Sequence, residues 1–74
     1  MRDERIGFYQ EVRIKDDAKT LKYRGKKGAV LGVSDEDGVL YGYSVLIHGM
    51  GCLVFFDKDE VFPTGRSFSR ADFY

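Results

Sequence analysis

Ser44 and His48 are the two residues whose types could supply a nucleophile and its base. They lie four positions apart in a segment predicted to be a strand, where a rise of about 3.3 Å per residue separates them by about 13 Å. Proton transfer requires a separation of about 3 Å, so the pair is too distant to react. His48 precedes Gly49 and is interpreted as a solvent-exposed residue at the end of a strand. We therefore predict no catalytic residues and expect a protein that is not an enzyme.

Two acidic clusters contain the side chains that could hold a cation. The segment 35–38, Asp-Glu-Asp-Gly, resembles the beginning of a calcium loop, which needs a carboxylate at its twelfth position. Counted from Asp35, that position is Leu46, so the segment is interpreted as an acidic hairpin turn. The second cluster, within 57–60, is explained more simply by the capping of a single helical turn. We predict no metal site and no cofactor.

Charge is unevenly distributed along a chain whose net charge is zero. Residues 1–27 carry nine basic and five acidic side chains, whereas residues 28–60 carry one basic and six acidic side chains. The basic stretch could contact the phosphates of a nucleic acid, although domains with that function usually have a basic excess overall. The residues of this alternative nucleic-acid site are Arg13, Lys15, Lys22, Arg24, Lys26 and Lys27.

The elements that must position these residues are short strands. Alternation of apolar and polar residues, β-branched runs and an Asp-Gly turn predict strands over 8–14, 29–34, 39–48 and 52–56, with a short closing strand within 67–74. A long basic loop over 15–27 joins the first two strands and has room for one helical turn. The predicted fold class is all-β, a small SH3-like five-stranded barrel forming a single domain over residues 1–74.

The chain is rich in aromatic residues for its size, with five tyrosines and six phenylalanines. The apolar run over 52–56 is typical of a strand covered on both faces. The predicted core consists of Phe8, Val12, Ile14, Leu31, Val45, Ile47, Val54 and Phe56. The remaining candidates for partial exposure, and hence for contact with a partner, are Tyr9, Tyr23, Tyr41, Tyr43, Phe62 and Tyr74.

Targeting signals are not evident in the sequence. No apolar run approaches the ~20 residues that span a bilayer, and the charged N-terminus is not followed by the apolar stretch of a secretory signal. Cys52 is the only cysteine, which excludes an internal disulfide and a zinc site built on paired thiolates. We expect a cytoplasmic protein that has no contact with a membrane.

Several segments resemble a family of immunity proteins from bacterial polymorphic toxin systems, including contact-dependent competition. The matching segments are 8–14 (Phe-Tyr-Gln-Glu-Val-Arg-Ile), 25–33, 43–45 (Tyr-Ser-Val), 55–60 and 63–65 (Pro-Thr-Gly). The resemblance implies an all-β protein that neutralises a cognate toxin by binding it in the producing cell. Because toxin nucleases are usually basic around the active site, acidic residues of the inhibitor would steer association. The partner-binding residues expected on this basis are Asp35, Glu36, Asp37, Asp57, Asp59 and Glu60, with Tyr41 and Tyr43 as anchors.

A shorter segment is similar to SH3-like barrels of the KOW type, which bind nucleic acid. It comprises Val12 and Ile14 followed by Gly25-Lys26-Lys27-Gly28, with Val30 and Gly32 after it. This resemblance implies that Lys26 and Lys27 contact RNA phosphates, and it leaves an RNA-binding module as the alternative function. An exposed edge strand would also permit a homodimer.

Overall fold

The computed structural model describes residues 6–69. Its elements, in chain order, are β1 (Gln10–Ile14), a 3₁₀-helix (Leu21–Tyr23), β2 (Lys27–Glu36), β3 (Val39–Ile47), β4 (Leu53–Asp57), a second 3₁₀-helix (Lys58–Glu60) and β5 (Val61–Ser67). The helical turn that the sequence allowed in the 15–27 loop is the first 3₁₀-helix. The turn predicted over 57–60 is the second.

The five strands form one antiparallel sheet in the order β4-β3-β2-β1-β5. β4 and β5 are its edges, and over residues 6–69 they do not pair with each other. Phe56 from β4 and Val61 from β5 nevertheless belong to one core cluster, so the sheet curls around its concave face. The all-β, five-stranded prediction is confirmed, and the barrel is open between its two edge strands.

The core fills the concave face of the sheet. Successive side chains of a strand point to opposite faces of the sheet, so every second side chain of β1 and β3 points into the concave face. The predicted core residues that are fully buried are Val12, Ile14, Val45, Ile47 and Phe56. Val54 is partly buried and packs against the core cluster. Phe8 was predicted wrongly, since it is exposed in the turn before β1, and Leu31 is only partly buried because a register shift follows Val30 in β2.

β5 lies earlier in the chain than predicted. The closing strand is Val61–Ser67 rather than a segment of 67–74, and residues 70–74 lie outside the described part of the chain. Pro63 and Gly65 suggest a break in the chain, yet Pro63 pairs with Val12 inside the strand. Proline is tolerated here because β5 is an edge strand, where an N–H that faces outward is not needed for pairing.

Candidate interaction surface

The acidic hairpin is the two-residue turn between β2 and β3 together with the end of β2. Asp37 and Gly38 have φ values of 54° and 81°, the left-handed conformation that such tight turns require. Asp35, Glu36 and Asp37 are all exposed. The predicted Asp-Gly hairpin is confirmed, and it holds three carboxylates in solvent at the end of the sheet.

Strand register brings Asp57 next to the acidic hairpin. Ser34 of β2, Gly42 of β3 and Asp57 of β4 are successive partners across the sheet. At a spacing of about 4.8 Å between strands, the Cα of Asp57 lies about 10 Å from the Cα of Ser34, the residue that precedes the acidic hairpin. The hairpin carboxylates and Asp57 therefore form one acidic end of the sheet, from two segments that are far apart in sequence.

The second acidic cluster has structural duties as well. Asp57 and Glu60 form a capping box around the second 3₁₀-helix, in which the Asp57 amide donates to Glu60 Oε1 at 2.8 Å. Glu60 Oε2 accepts from the Lys19 amide at 2.8 Å, which ties the β1–β2 loop to this helix. Glu60 is therefore a structural residue. Asp57 and Asp59 form ion pairs with Lys19 at 3.5 Å and with Lys58 at 3.6 Å, and both pairs are exposed, so a partner can displace them.

The two predicted tyrosine anchors have different environments. Tyr41 is 50% exposed, as expected for an anchor. Tyr43 is only 2% exposed, and its hydroxyl accepts a hydrogen bond from the Ile6 amide at 3.0 Å. Alternation alone would place both tyrosines on one face of the sheet. In the structure Gly42 pairs with Ser34 and Leu40 pairs with Asp35, so Tyr41 is an extra residue in β3, a β-bulge. Tyr43 is therefore a core residue and not a surface anchor.

The outer face of β2, β3 and β4 carries no charge over two adjacent rows of residues. Ala29, Leu46 and Leu53 form one row, and directly opposed side chains share a face. Gly32, Ser44 and Phe55 form the next row. We call these two rows the uncharged face; it adjoins the acidic end, because the Ser34–Gly42–Asp57 row follows next.

Leu53 and Phe55 are the residues of this surface that the sequence analysis missed. They are 58% and 49% exposed, and their strand is not covered on both faces as its apolar composition predicted. The Phe55 ring lies over Gly42, where an added Cβ would come within 2.6 Å of its Cζ. No local signal in the sequence marks β4 as an edge strand, because strand order is set by pairing with distant residues.

An open groove with a volume of about 430 Å³ lies between the segment before β1, the start of β3, the second 3₁₀-helix and β5. Its apolar walls include Leu40 and Val61, and Lys58 and Asp59 contribute charge. Leu40 is the cross-strand partner of Asp35, so the groove opens beside the acidic end.

The basic residues of the alternative nucleic-acid site are only partly brought together. Arg13 and Lys27 are cross-strand neighbours, so their side chains share a face. Arg24 instead donates from Nε to the Ala18 carbonyl at 2.8 Å. Lys27 begins β2 and the acidic hairpin ends it, which places the two charged regions at opposite ends of this ten-residue strand. The other members, Lys15, Lys22 and Lys26, lie in the connection between β1 and β2.

Glu11 forms a buried polar network that sequence reasoning did not find. Glu11 precedes the core residue Val12 in β1, so its side chain lies on the outer face of the sheet, yet it is only 5% exposed. Its carboxylate accepts from Thr64 Oγ1 at 2.8 Å and lies 2.9 Å from His48 Nε2. The Phe68 ring packs edge-on against His48 with centroids 5.3 Å apart. The network links β1, the end of β3 and β5. His48 is exposed at the end of β3, as predicted, and it also belongs to this network.

The Thr64 hydrogen bond lowers the pKa of Glu11 below its ordinary value of 4.5, burial opposes this, and His48 and Arg66 lower it further. A carboxyl group whose folded pKa is depressed stabilises the fold above its unfolded pKa, and the contribution is lost as pH falls through the folded pKa.

We therefore expect the free energy of unfolding to decrease as the pH falls below 4.5. The share of this decrease that Glu11 causes should be absent in Glu11→Gln. At pH 7 this variant should lose about 2 kcal/mol, the size of a charged hydrogen bond. Urea denaturation across the pH range measures both effects, and Glu36→Gln, on the exposed hairpin, is the matched control. An unchanged pH slope in Glu11→Gln would contradict this account.

Comparison of the chain with protein-family models, curated proteins and solved structures finds no match. Between residues 6 and 69, no helix is long and apolar enough to cross a membrane.

Proposed function

We propose that this chain is a non-catalytic protein-binding domain that neutralises a cognate bacterial toxin by direct binding in the cytoplasm of the producing cell. The observation that carries the proposal is the uncharged face with exposed Leu53 and Phe55 beside the acidic end. Protein interfaces combine an apolar centre with a polar rim, and here the rim is negative on one side. This arrangement suits a partner with a basic surface around an apolar patch, as a nuclease toxin would present.

Each part of the surface has a separate role in the proposal. Leu53 and Phe55 supply apolar area that is removed from water, and a few residues near the desolvated centre of an interface contribute most of its binding free energy. The acidic hairpin and Asp57 supply attraction at longer range, which accelerates encounter with a basic partner. Tyr41 is half-exposed in β3 near the hairpin and supplies a further aromatic side chain for contact with a partner.

The test is co-expression with the C-terminal domain encoded by the gene immediately upstream. We expect that domain to kill a bacterial host when expressed alone and to be harmless when this chain is present. In the purified pair, the triple variant Asp35→Asn, Glu36→Gln, Asp37→Asn should reduce the association rate constant about tenfold at low salt. Asp17→Asn, an exposed acidic residue of the β1–β2 loop, is the control.

Toxicity that this chain does not relieve would remove the proposal. The alternative would then be a nucleic-acid-binding module, for which the neighbouring Arg13 and Lys27 are the supporting observation. Binding of RNA by that pair would weaken steeply as salt concentration increases.

A further inference from the structure

The two edges of the sheet differ in how they are protected against pairing with another strand. β5 contains Pro63, which offers no N–H, and Gly65 in a left-handed conformation with φ of 95°. β4 contains neither proline nor glycine, and its first four residues, Leu-Val-Phe-Phe, carry no charge. Proteins usually protect an exposed edge with proline, charge or an irregularity, and an edge without these features is a template for pairing with another strand.

Within residues 6–69, the backbone of β4 has hydrogen-bonding groups that point away from the sheet and have no partner at two residues. Ile47 donates to the Cys52 carbonyl at 3.1 Å, which makes these two residues a hydrogen-bonded pair. In an antiparallel ladder, hydrogen-bonded pairs alternate with pairs whose groups point outward. The next pair is Leu46 with Leu53. It follows that the N–H and C=O groups of Leu53, and of Phe55 two residues later, point away from β3.

The free edge ends at Asp57. Its amide also points outward, but Glu60 Oε1 already accepts from it at 2.8 Å. Beyond this residue the chain turns into the second 3₁₀-helix. An added strand would therefore make as many as four backbone hydrogen bonds, to the N–H and C=O groups of Leu53 and Phe55, and its end would lie beside the half-exposed Asp57 carboxylate.

We propose that the toxin binds by adding an extended strand to the free edge of β4. The strand would carry apolar side chains at alternate positions, beside those of Leu53 and Phe55, and a lysine or arginine next to Asp57. Backbone hydrogen bonds would supply affinity, and the alternate side chains would supply specificity. This inference rests on the proposed function, because it names the way in which that partner is held.

Charge favours a basic partner over a second copy of this chain. If a second β4 paired antiparallel so that Leu53 faced Phe55 of the copy, Asp57 would lie opposite Gly51 of the copy, which offers no cation. The cation beside Asp57 is Lys19 of the same chain, whose Nζ lies 3.5 Å from Asp57 Oδ2 in an exposed pair of the kind that contributes little. A lysine or arginine at the end of a toxin strand can replace Lys19 at this carboxylate. The acidic hairpin then attracts the same basic partner at the periphery of the interface.

Amide hydrogen exchange, followed by NMR in the presence of the purified upstream-encoded toxin domain, tests the proposal. The amides of Leu53 and Phe55 should exchange rapidly in the free protein and at least tenfold more slowly in the complex. Leu53→Pro removes an outward N–H, whereas Leu53→Ala keeps it, so the proline variant should bind at least tenfold more weakly than the alanine variant. The exchange measurement needs no variant, so the test stands even if Leu53→Pro does not fold.

The outcomes separate the two proposals. If the toxin domain does not bind the wild-type chain, the proposed function fails and this inference fails with it. If it binds while both amides stay unprotected, or if the two Leu53 variants bind equally, strand addition is overturned and toxin binding stands. Protection in the toxin-free protein, together with the mass of a dimer in light scattering, would assign the edge to a second copy and overturn the inference.

Discussion

Replacing Phe55 with arginine should weaken binding of the toxin domain about 100-fold or more, the effect of losing a central aromatic residue from an interface. Phe55 is exposed and lies in the uncharged face, so the variant loses apolar contact area and gains a charge that repels a basic partner. The fold should persist, because the side chain is not part of the buried core cluster. Isothermal titration calorimetry of the purified pair measures the change.

Two further variants identify the source of that effect. Phe55→Ala removes the ring without adding charge and should account for most of the loss. Leu21→Arg places an arginine at another exposed apolar residue, in the first 3₁₀-helix, and should leave affinity unchanged. Equal weakening by Phe55→Arg and Leu21→Arg would mean that added positive charge, and not the uncharged face, determines binding.

Replacing Gly42 with alanine should lower the free energy of unfolding by about 3 kcal/mol, at the upper end of the cost of overpacking. A Cβ at this position would collide with the Phe56 carbonyl oxygen, and the Cα of Asp57 would be only 3.1 Å from it. Backbone atoms of a paired strand cannot move aside as a flexible side chain can, so β3 and β4 would have to separate locally. Thermal and urea denaturation measure the loss.

Gly32→Ala is the matched control for this prediction. Gly32 also lies in the sheet, but its nearest obstacle is the Ser44 side chain at 3.2 Å, which leaves only a mild contact to relieve. We expect a cost below 1 kcal/mol, within the range of ordinary substitutions away from severe clashes. Similar losses in the two variants would show that the close contact between β3 and β4 at Gly42 has no special importance.

Much of the fold follows from local patterns. Alternation in β1 and β3 identifies the buried valines and isoleucines, and the Asp-Gly dipeptide identifies the hairpin. The acidic residues at 57–60 identify a capped helical turn. These features depend on neighbours within a few positions, so the sequence contains the information needed to predict them.

The candidate surface is less accessible to sequence reasoning, because it depends on which strands are neighbours. Leu53 and Phe55 look like core residues until β4 is known to be an edge. Tyr41 and Tyr43 are separated by an irregularity that no pattern of residue types reveals. Glu11 is buried on the outer face, where Thr64 and His48, far along the chain, contact its carboxylate and Phe68 packs against His48.

The pairing of β1 with β5 has a mechanical consequence. Gln10 lies opposite Ser67 and Ile14 lies opposite Val61, so the chain enters and leaves this ladder at the same end. A force that pulls residues 6 and 69 apart would load the hydrogen bonds of the ladder one after another, as a zipper opens, rather than all at once in shear. The first bonds to break would free the segment that covers Glu11, and traction on the chain ends would release β5 before it disturbed the β2–β3 hairpin and the acidic end.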